Sequence, residues 1–116
     1  MLSPCNDRKI VEQPIVYCFD IDGTICSNTD GDYDSATPFP KRIEKVNGLF
    51  DAGNKIVLFT ARGTQTGLDW RELTVMQLEN WGVHYHELIL GKPFAHYYID
   101  DKGISDLDFF SKDSSL

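Results

Sequence analysis

Basic residues are scarce in this chain, and long apolar runs are missing. Its 116 residues contain 11 Lys and Arg against 18 Asp and Glu, which gives a formal net charge of −7 at pH 7. Nucleic acids and anionic membranes are bound by basic surfaces, so we expect neither as a partner. No apolar stretch approaches the roughly 20 residues of a membrane span, and residues 1–9 lack the apolar core of a signal peptide. We therefore expect a cytoplasmic protein.

Cysteine is also scarce. Cys5, Cys18 and Cys26 are odd in number and have no spacing typical of a zinc site. Because Cys18 lies within an apolar run, we expect it to be a small buried core residue. The chain is 41% hydrophobic and 12% aromatic, which is enough for a packed core.

Apolar segments of two kinds alternate along the chain and predict an α/β fold. We expect one domain over residues 15–110, with polar tails at 1–14 and 111–116. Within the domain the pattern predicts strands at 15–19, 55–59, 83–90 with an interruption, and 96–99, and helices at 38–52, 68–81 and 104–110. Such alternation is typical of a small parallel, Rossmann-like sheet covered on both faces, a three-layer α/β/α sandwich.

The sequence also indicates where the helices begin and end, and which side of each helix faces the core. Thr37 is a candidate N-cap for the first helix, and Gly53 and Gly82 are suited to end the two long helices. The periodicity places one set of side chains inward on the first helix: Ile43, Val46, Leu49 and Phe50. On the second helix it favours Leu73 and Met76 as core residues, with Trp70 and Leu78 as further candidates.

Two carboxylates end the first apolar strand. Asp20 and Asp22 occupy alternate positions, so their side chains leave the same side of an extended chain, and Gly23 permits a sharp turn directly after them. The other strands also end in polar groups, which are Thr60, Lys92 and the pair Asp100 and Asp101. Because parallel strands end at one edge of a sheet, where α/β proteins bind ligands, these groups are expected to converge.

Convergence of this set permits phosphoryl transfer. Four ionised carboxylates need a counter-ion, and Mg²⁺ binds oxygen ligands together with substrate phosphate. Lys92 and Thr60 could hold phosphoryl oxygens. One carboxylate can act as a nucleophile and a second as general acid and base. A small phosphorylated metabolite is therefore the expected substrate.

Four segments resemble, in order, the motifs of the haloacid dehalogenase-like (HAD) hydrolases. They are Phe19-Asp20-Ile21-Asp22-Gly23-Thr24, Leu58-Phe59-Thr60, Lys92, and Tyr97-Tyr98-Ile99-Asp100-Asp101. The resemblance implies a phosphatase with Asp20 as nucleophile and Asp22 as acid and base. It further implies that Thr60 and Lys92 clamp the phosphoryl group.

The resemblance also implies the substrate and metal sites. Substrate would be bound by residues next to the motifs and within them, which are Gly23, Thr24, Thr60, Ala61, Arg62 and Lys92. Mg²⁺ would be bound by Asp20, the carbonyl oxygen of Asp22 and Asp100. Asp101 would bind it through water or support the direct ligands.

Shorter strings are similar to the capless phosphatases of capsule or other surface-polysaccharide biosynthesis. They are Thr60-Ala61-Arg62, Gly91-Lys92-Pro93 and Ile99-Asp100-Asp101-Lys102. The segment Ile25–Thr37 is long enough only for a flap, so no cap domain is expected. The flap, Arg62 or a neighbouring subunit would then select the substrate, and an open site favours self-association.

Three alternatives compete with parts of this interpretation. A phosphotransferase would use the same covalent intermediate but must exclude water. A receiver-like module would be phosphorylated on Asp and read by a partner, but receivers place their acidic pair first, whereas here it follows Lys92. Arg62 could also pair with an acid for a structural reason.

Two metal-site alternatives are weaker. The rhythm of Asp30, Asp32 and Asp34 opens like a calcium loop, but Ser35 and Lys41 stand where that loop needs Gly and Glu. His84 and His86 could begin a zinc site, but neither His96 nor any other residue is spaced to complete it.

Overall fold

Three parallel strands form the centre of the structure, a computed structural model that describes residues 13–111. Most of the tails predicted at 1–14 and 111–116 lies outside these residues, as does Cys5. The elements, in chain order, are β1 (Val16–Asp20), a 3₁₀ turn (Tyr33–Ser35), α1 (Pro40–Asp51), β2 (Lys55–Thr60), α2 (Arg71–Trp81), β3 (Glu87–Leu90) and α3 (Asp106–Ser111). Among the described residues, none of the helices has the length and apolar character that crossing a membrane requires.

The sheet has the order β1-β2-β3, and both pairings are parallel. Asp20 lies opposite Phe59 at the end of the first pair, and Thr60 lies opposite Leu90 at the end of the second. The α/β class and the parallel sheet are therefore confirmed. The carboxyl ends of the three strands meet at one edge, as the alternation predicted.

One face of the sheet carries the core. Tyr17 and Phe19 on β1 lie opposite Ile56 and Leu58 on β2, so all four side chains share a face. The three helices contribute buried side chains to the same cluster, among them Ile43 and Val46 from α1, Leu78 from α2 and Phe110 from α3. Phe110 stacks on Phe19 with the ring centroids 6.2 Å apart.

The opposite face is much more open. Val16 is 63% exposed, and Cys18 is exposed too, so the expectation of a buried Cys18 is wrong. Alternation along β1 explains this, since Val16 and Cys18 point away from the face that holds Phe19. Over residues 13–111 the helices supply their buried side chains to one face, whereas the sequence predicted helices on both.

The predicted fourth strand at residues 96–99 does not form. Tyr97 and Ile99 are 82% and 93% exposed, and no strand is assigned anywhere in residues 91–105. The hydroxyl of Tyr98 donates instead to the carbonyl of Pro93. The apolar pattern predicted a buried strand, but in this structure the segment bonds locally.

A local turn also holds the acidic pair that follows. The Asp100 carboxylate accepts hydrogen bonds from the backbone N–H groups of Lys102 and Gly103. Such side-chain bonds offer the backbone an alternative to a strand ladder. They also lower the pKa of Asp100. Asp101, whose side chain is 87% exposed, lies 3.9 Å from the ammonium of Lys102.

The first long helix largely follows its prediction. Ile43 and Val46 are buried as expected. The N-cap is Phe39 rather than Thr37, with proline at the start of the helix. Thr37 is instead paired with Ser27, to whose hydroxyl its N–H donates at 2.9 Å. Proline suits the first helical position because the N–H that it lacks has no intrahelical partner there.

The second long helix buries one of the residues predicted to face inward and two that were not predicted. Leu78 is fully buried, but the other buried residues are Thr74 and Gln77, and Met76 is 51% exposed. The expected core role of Met76 is therefore wrong. Hydrogen bonds from a buried arginine to Thr74 and Gln77, described below, account for this orientation. Gly82 ends the helix in the left-handed conformation at φ 72°, as predicted.

The orientation of α2 can be tested by truncating two apolar side chains of the same helix. Leu78→Ala should lower the free energy of unfolding by about 2–5 kcal/mol, because it leaves a cavity in the core. Met76→Ala should change it by less than about 0.5 kcal/mol, because that side chain is largely in solvent. Urea denaturation of both variants measures the difference. Equal losses would contradict the orientation.

Candidate active site

Asp20 and Lys92 face each other at the carboxyl edge of the sheet. The Lys92 ammonium lies 3.5 Å from Oδ1 of Asp20, and the two side chains are 16% and 36% exposed. The ammonium also lies over the Tyr98 ring, 4.2 Å from its centroid. The pair is thus partly enclosed and still open to a small molecule.

The end of β2 fixes the backbone of Lys92. The carbonyl of Thr60 accepts hydrogen bonds from the N–H groups of Gly91 and Lys92 at 3.2 and 3.1 Å. The hydroxyl of Thr64 donates to the Lys92 carbonyl at 2.8 Å. The predicted meeting of Asp20, Thr60 and Lys92 therefore occurs through strand pairing.

Thr60 itself is 1% exposed, and its hydroxyl accepts a bond from the N–H of Arg62.

Burial changes the titration of Asp20. Loss of solvent raises the pKa of its carboxyl above the usual 3.8, and the Lys92 ammonium partly offsets that rise. A partly buried carboxylate beside a cation, at the sheet edge where α/β proteins bind ligands, is a candidate functional group.

A tight turn follows β1 and positions Asp22. Gly23 has φ 86°, a conformation that few other residues adopt without strain. Its N–H donates to the carbonyl of Cys26 at 2.8 Å, and the N–H of Thr24 donates to the carbonyl of Ile21 at 3.1 Å. These two predicted substrate-binding residues thus use their N–H groups within the turn. The carbonyl of Thr24 accepts a bond from Arg42.

Asp22 forms a bidentate ion pair with Arg62. The Nε and Nη2 atoms of Arg62 each lie 2.9 Å from an oxygen of the Asp22 carboxylate. The Arg62 side chain is completely buried, while that of Asp22 retains 18% exposure. The structure therefore has the pairing of Arg62 with an acid that the sequence left open. Ala61, which precedes Arg62, bonds through its carbonyl to the N–H of Thr64.

The remaining nitrogen of Arg62 is bound by α2. Its Nη1 donates to the hydroxyl of Thr74 at 3.0 Å and to Oε1 of Gln77 at 2.6 Å. The Tyr33 ring covers the guanidinium with its centroid 4.6 Å away. Gln77 completes the group by donating to the Tyr33 carbonyl.

These partners of Arg62 could not be predicted from the sequence. Thr74 and Gln77 are three residues apart on a helix, a spacing that places them on one face but that polar surface residues share. Tyr33 lies in a polar loop. The thiol of Cys26 also touches the group, 3.6 Å from Asp22, and burial raises its pKa to about 12. That thiol is neutral at physiological pH and unsuited to act as a nucleophile.

The residues expected to bind a metal are not brought together. Asp20 and Asp22 lie at the strand edge, whereas Asp100 and Asp101 lie in the exposed segment after β3. Over residues 13–111 no group of three or more His, Cys, Asp or Glu side chains is arranged to hold a metal ion. In this arrangement the four expected magnesium ligands are therefore not gathered into one site.

The weaker metal alternatives have other contacts. Asp32 accepts a hydrogen bond from the Ser35 hydroxyl at 2.7 Å within the 3₁₀ turn. Nδ1 of His86 accepts from the N–H of Ile56, and His84 lies 3.6 Å from Asp51. Asp32, His84 and His86 thus make contacts within the chain.

The fold resembles that of a solved structure. A crystal structure of a structural-genomics target from Vibrio cholerae superposes with a TM-score of 0.75 and is 26% identical in sequence. The similarity covers 82% of this chain and 86% of the other. The chain matches no protein-family model and no curated protein. The likeness supports the α/β fold.

The burial of Asp20 predicts a pH-dependent stability difference. Since its pKa is raised in the native state, native Asp20 keeps its proton to higher pH than in the unfolded chain. Its contribution thus favours folding below the unfolded value of 3.8 and is lost as pH rises through the native pKa. The variant Asp20→Asn cannot ionise at this position. As pH rises from 3.8 through the native pKa of Asp20, the free energy of unfolding of the variant should therefore increase relative to that of the wild type. Urea titrations in metal-free buffer measure this.

The matched variant is Lys92→Met. It removes the cation that offsets the effect of burial, so stability should fall more steeply with pH than in the wild type. A constant difference between Asp20→Asn and the wild type at every pH would contradict the assigned environment.

Proposed function

We propose that this chain is a HAD-like phosphatase without a cap domain. It hydrolyses a small phosphomonoester through an aspartyl-phosphate on Asp20. The observation that carries the proposal is the partly exposed pair of Asp20 and Lys92, with the Asp22 carboxylate beside it at the carboxyl edge of a parallel sheet. The order of the sequence motifs supports the same chemistry.

The first step is attack on phosphorus by an oxygen of Asp20. A bond forms between that oxygen and phosphorus, and the bond from phosphorus to the substrate oxygen breaks. The Lys92 ammonium, 3.5 Å from Asp20, offsets the charge of the incoming phosphoryl group. Asp22, which must first take up a proton on the part of its carboxyl that Arg62 leaves exposed, gives that proton to the leaving oxygen, which departs as an alcohol.

The second step regenerates Asp20. Water attacks phosphorus while Asp22, now ionised, accepts the proton from the water. The bond between Asp20 and phosphorus breaks, and inorganic phosphate leaves. Asp22 serves both steps because its carboxylate is partly exposed beside Asp20, whereas Arg62 behind it is fully buried. The clamp role of Thr60 remains a prediction, since its side chain is enclosed in this structure.

The small size of the flap, residues 25–37, supports the proposal of a small substrate. Between β1 and α1 the described chain has turns and one 3₁₀ helix, so nothing the size of a domain covers Asp20. A phosphorylated sugar of surface-polysaccharide biosynthesis, in a cytoplasmic setting, is the substrate class that the sequence resemblance favours. An uncovered site also favours hydrolysis over transfer to a second substrate, because water has access to the intermediate.

Magnesium belongs to the proposal as a requirement for activity. The sequence resemblance supports it, and a phosphate dianion that approaches the carboxylates of Asp20 and Asp22 needs a compensating cation. The proton transfers described above use the chain's own groups and do not depend on where the cation binds.

The proposal is tested with p-nitrophenyl phosphate and Mg²⁺. We expect steady turnover in the wild type, loss of turnover on adding EDTA, and recovery on adding excess Mg²⁺. Asp20→Asn should be inactive but folded by circular dichroism, because it loses the nucleophile without a change of shape. Arg71→Ala, at an exposed residue whose side chain bonds to the Leu88 carbonyl, is the control and should keep its activity.

The result also separates the alternatives. One p-nitrophenol released per chain, with the phosphoryl group kept on the protein and no further turnover, would favour a receiver-like phosphoacceptor and contradict hydrolysis. Full activity of Asp20→Asn would remove the covalent mechanism, and full activity in EDTA would remove the metal requirement.

A further inference from the structure

Arg62 is a fully buried arginine whose nitrogens all have protein acceptors. Two of its nitrogens bind the oxygens of Asp22, and the third binds Thr74 and Gln77. The Cys26 sulfur lies 3.9 Å from Nη2 as a further, weak acceptor. The planar fork of a guanidinium fixes the plane of a carboxylate that it binds bidentately.

We propose that Arg62 is a positioning residue for Asp22, an inference that rests on the proposed phosphatase function. It holds the Asp22 carboxylate in one orientation toward the leaving oxygen and toward the attacking water. It does not bind the substrate phosphate. The sequence alone left this choice between substrate contact and a structural pair open.

Exposure decides between the two roles. The side chain of Arg62 has 0% exposure, whereas Asp22 has 18%, so a ligand at the strand edge can reach only the acid. A phosphate group could be bound by Arg62 only if the guanidinium first left Asp22. That exchange would also leave Thr74 and Gln77, which are buried, without their donor, at the cost of unpaired polar groups.

The same guanidinium holds the flap. Tyr33 lies on its face and makes an edge contact with the Trp70 ring, with the centroids 5.0 Å apart. Gln77 binds both Nη1 of Arg62 and the Tyr33 carbonyl. A change in the position of Arg62 must therefore loosen residues 27–37 as well as Asp22, which gives the proposal a readout that does not depend on activity.

Stability alone is a poor reason for this arrangement. Burying a charged pair costs desolvation energy that the attraction often only balances. A chain selected for stability alone could place apolar side chains here. The arrangement has instead the features of a support that fixes a reacting group, since small displacements of such a group are costly to rate.

The test is a double-mutant cycle of Arg62→Lys and Asp22→Asn. Lysine keeps the charge but cannot bind both oxygens of Asp22. We expect Arg62→Lys to lower kcat by up to about 10²-fold with KM little changed, because only the acid–base group is displaced. Added to Asp22→Asn, the same change should have no further effect, since the group that Arg62 positions is already gone.

Leaving-group dependence and hydrogen exchange complete the measurement. An alkyl phosphate needs a proton on its leaving oxygen more than an aryl phosphate does, so Arg62→Lys should slow the alkyl substrate more. Hydrogen exchange of residues 27–37 should become faster in Arg62→Lys and stay unchanged in the control Arg71→Lys. If Arg62→Lys does not fold, Gln77→Met removes an acceptor of Nη1 without changing either charge and enters the same cycle.

Each contrary result has its own meaning. A raised KM with unchanged kcat, or losses that multiply in the double variant, would mean that Arg62 acts on the substrate independently of Asp22 and would overturn this inference alone. Absence of turnover in the wild type with every phosphomonoester would overturn the proposed function and this inference with it.

Discussion

The bidentate pairing of Arg62 with Asp22 is the interaction on which the candidate active site at the carboxyl edge of the sheet depends. It joins the turn after β1 to the loop after β2, and through Thr74 and Gln77 it sets the inward face of α2. Through Tyr33 it also fixes the flap. A buried cation must have its donors satisfied, and that demand explains why α2 buries two polar residues while Met76 is in solvent.

Parallel pairing of the strands supplies the second constraint. Asp20, Thr60 and Lys92 are far apart in sequence, yet the register of β1 with β2 and of β2 with β3 leaves them at one edge. The hydrogen bonds from Gly91 and Lys92 to the Thr60 carbonyl then hold the ammonium near Asp20. The Asp20 carboxylate and the Lys92 ammonium thus come within 3.5 Å of each other through backbone bonding.

Much of this arrangement could be predicted from the sequence, and the failures have physical causes. Apolar runs that end in polar groups located the three strands and their shared edge, because strand period and topology leave little choice. The sequence left open whether Arg62 pairs with an acid, and its partners Asp22, Thr74 and Gln77 could not be predicted because they lie on other elements. The run at 96–99 has the composition of a strand, but local bonds of Tyr98 and Asp100 replace the pairing. Asp100 and Asp101 are consequently the predicted site residues that this structure leaves apart from Asp20.

In the proposed mechanism Asp20 carries the phosphoryl group during hydrolysis, and chemical trapping can detect the group there. Borohydride reduces an acyl phosphate to an alcohol, so an aspartyl-phosphate at position 20 becomes homoserine. The protein is quenched during turnover of a phosphomonoester, treated with borohydride, digested and examined by peptide mass spectrometry. We expect homoserine at position 20 in the quenched sample and none when substrate is omitted. Homoserine at another aspartate, or none in a protein that was turning over, would contradict it.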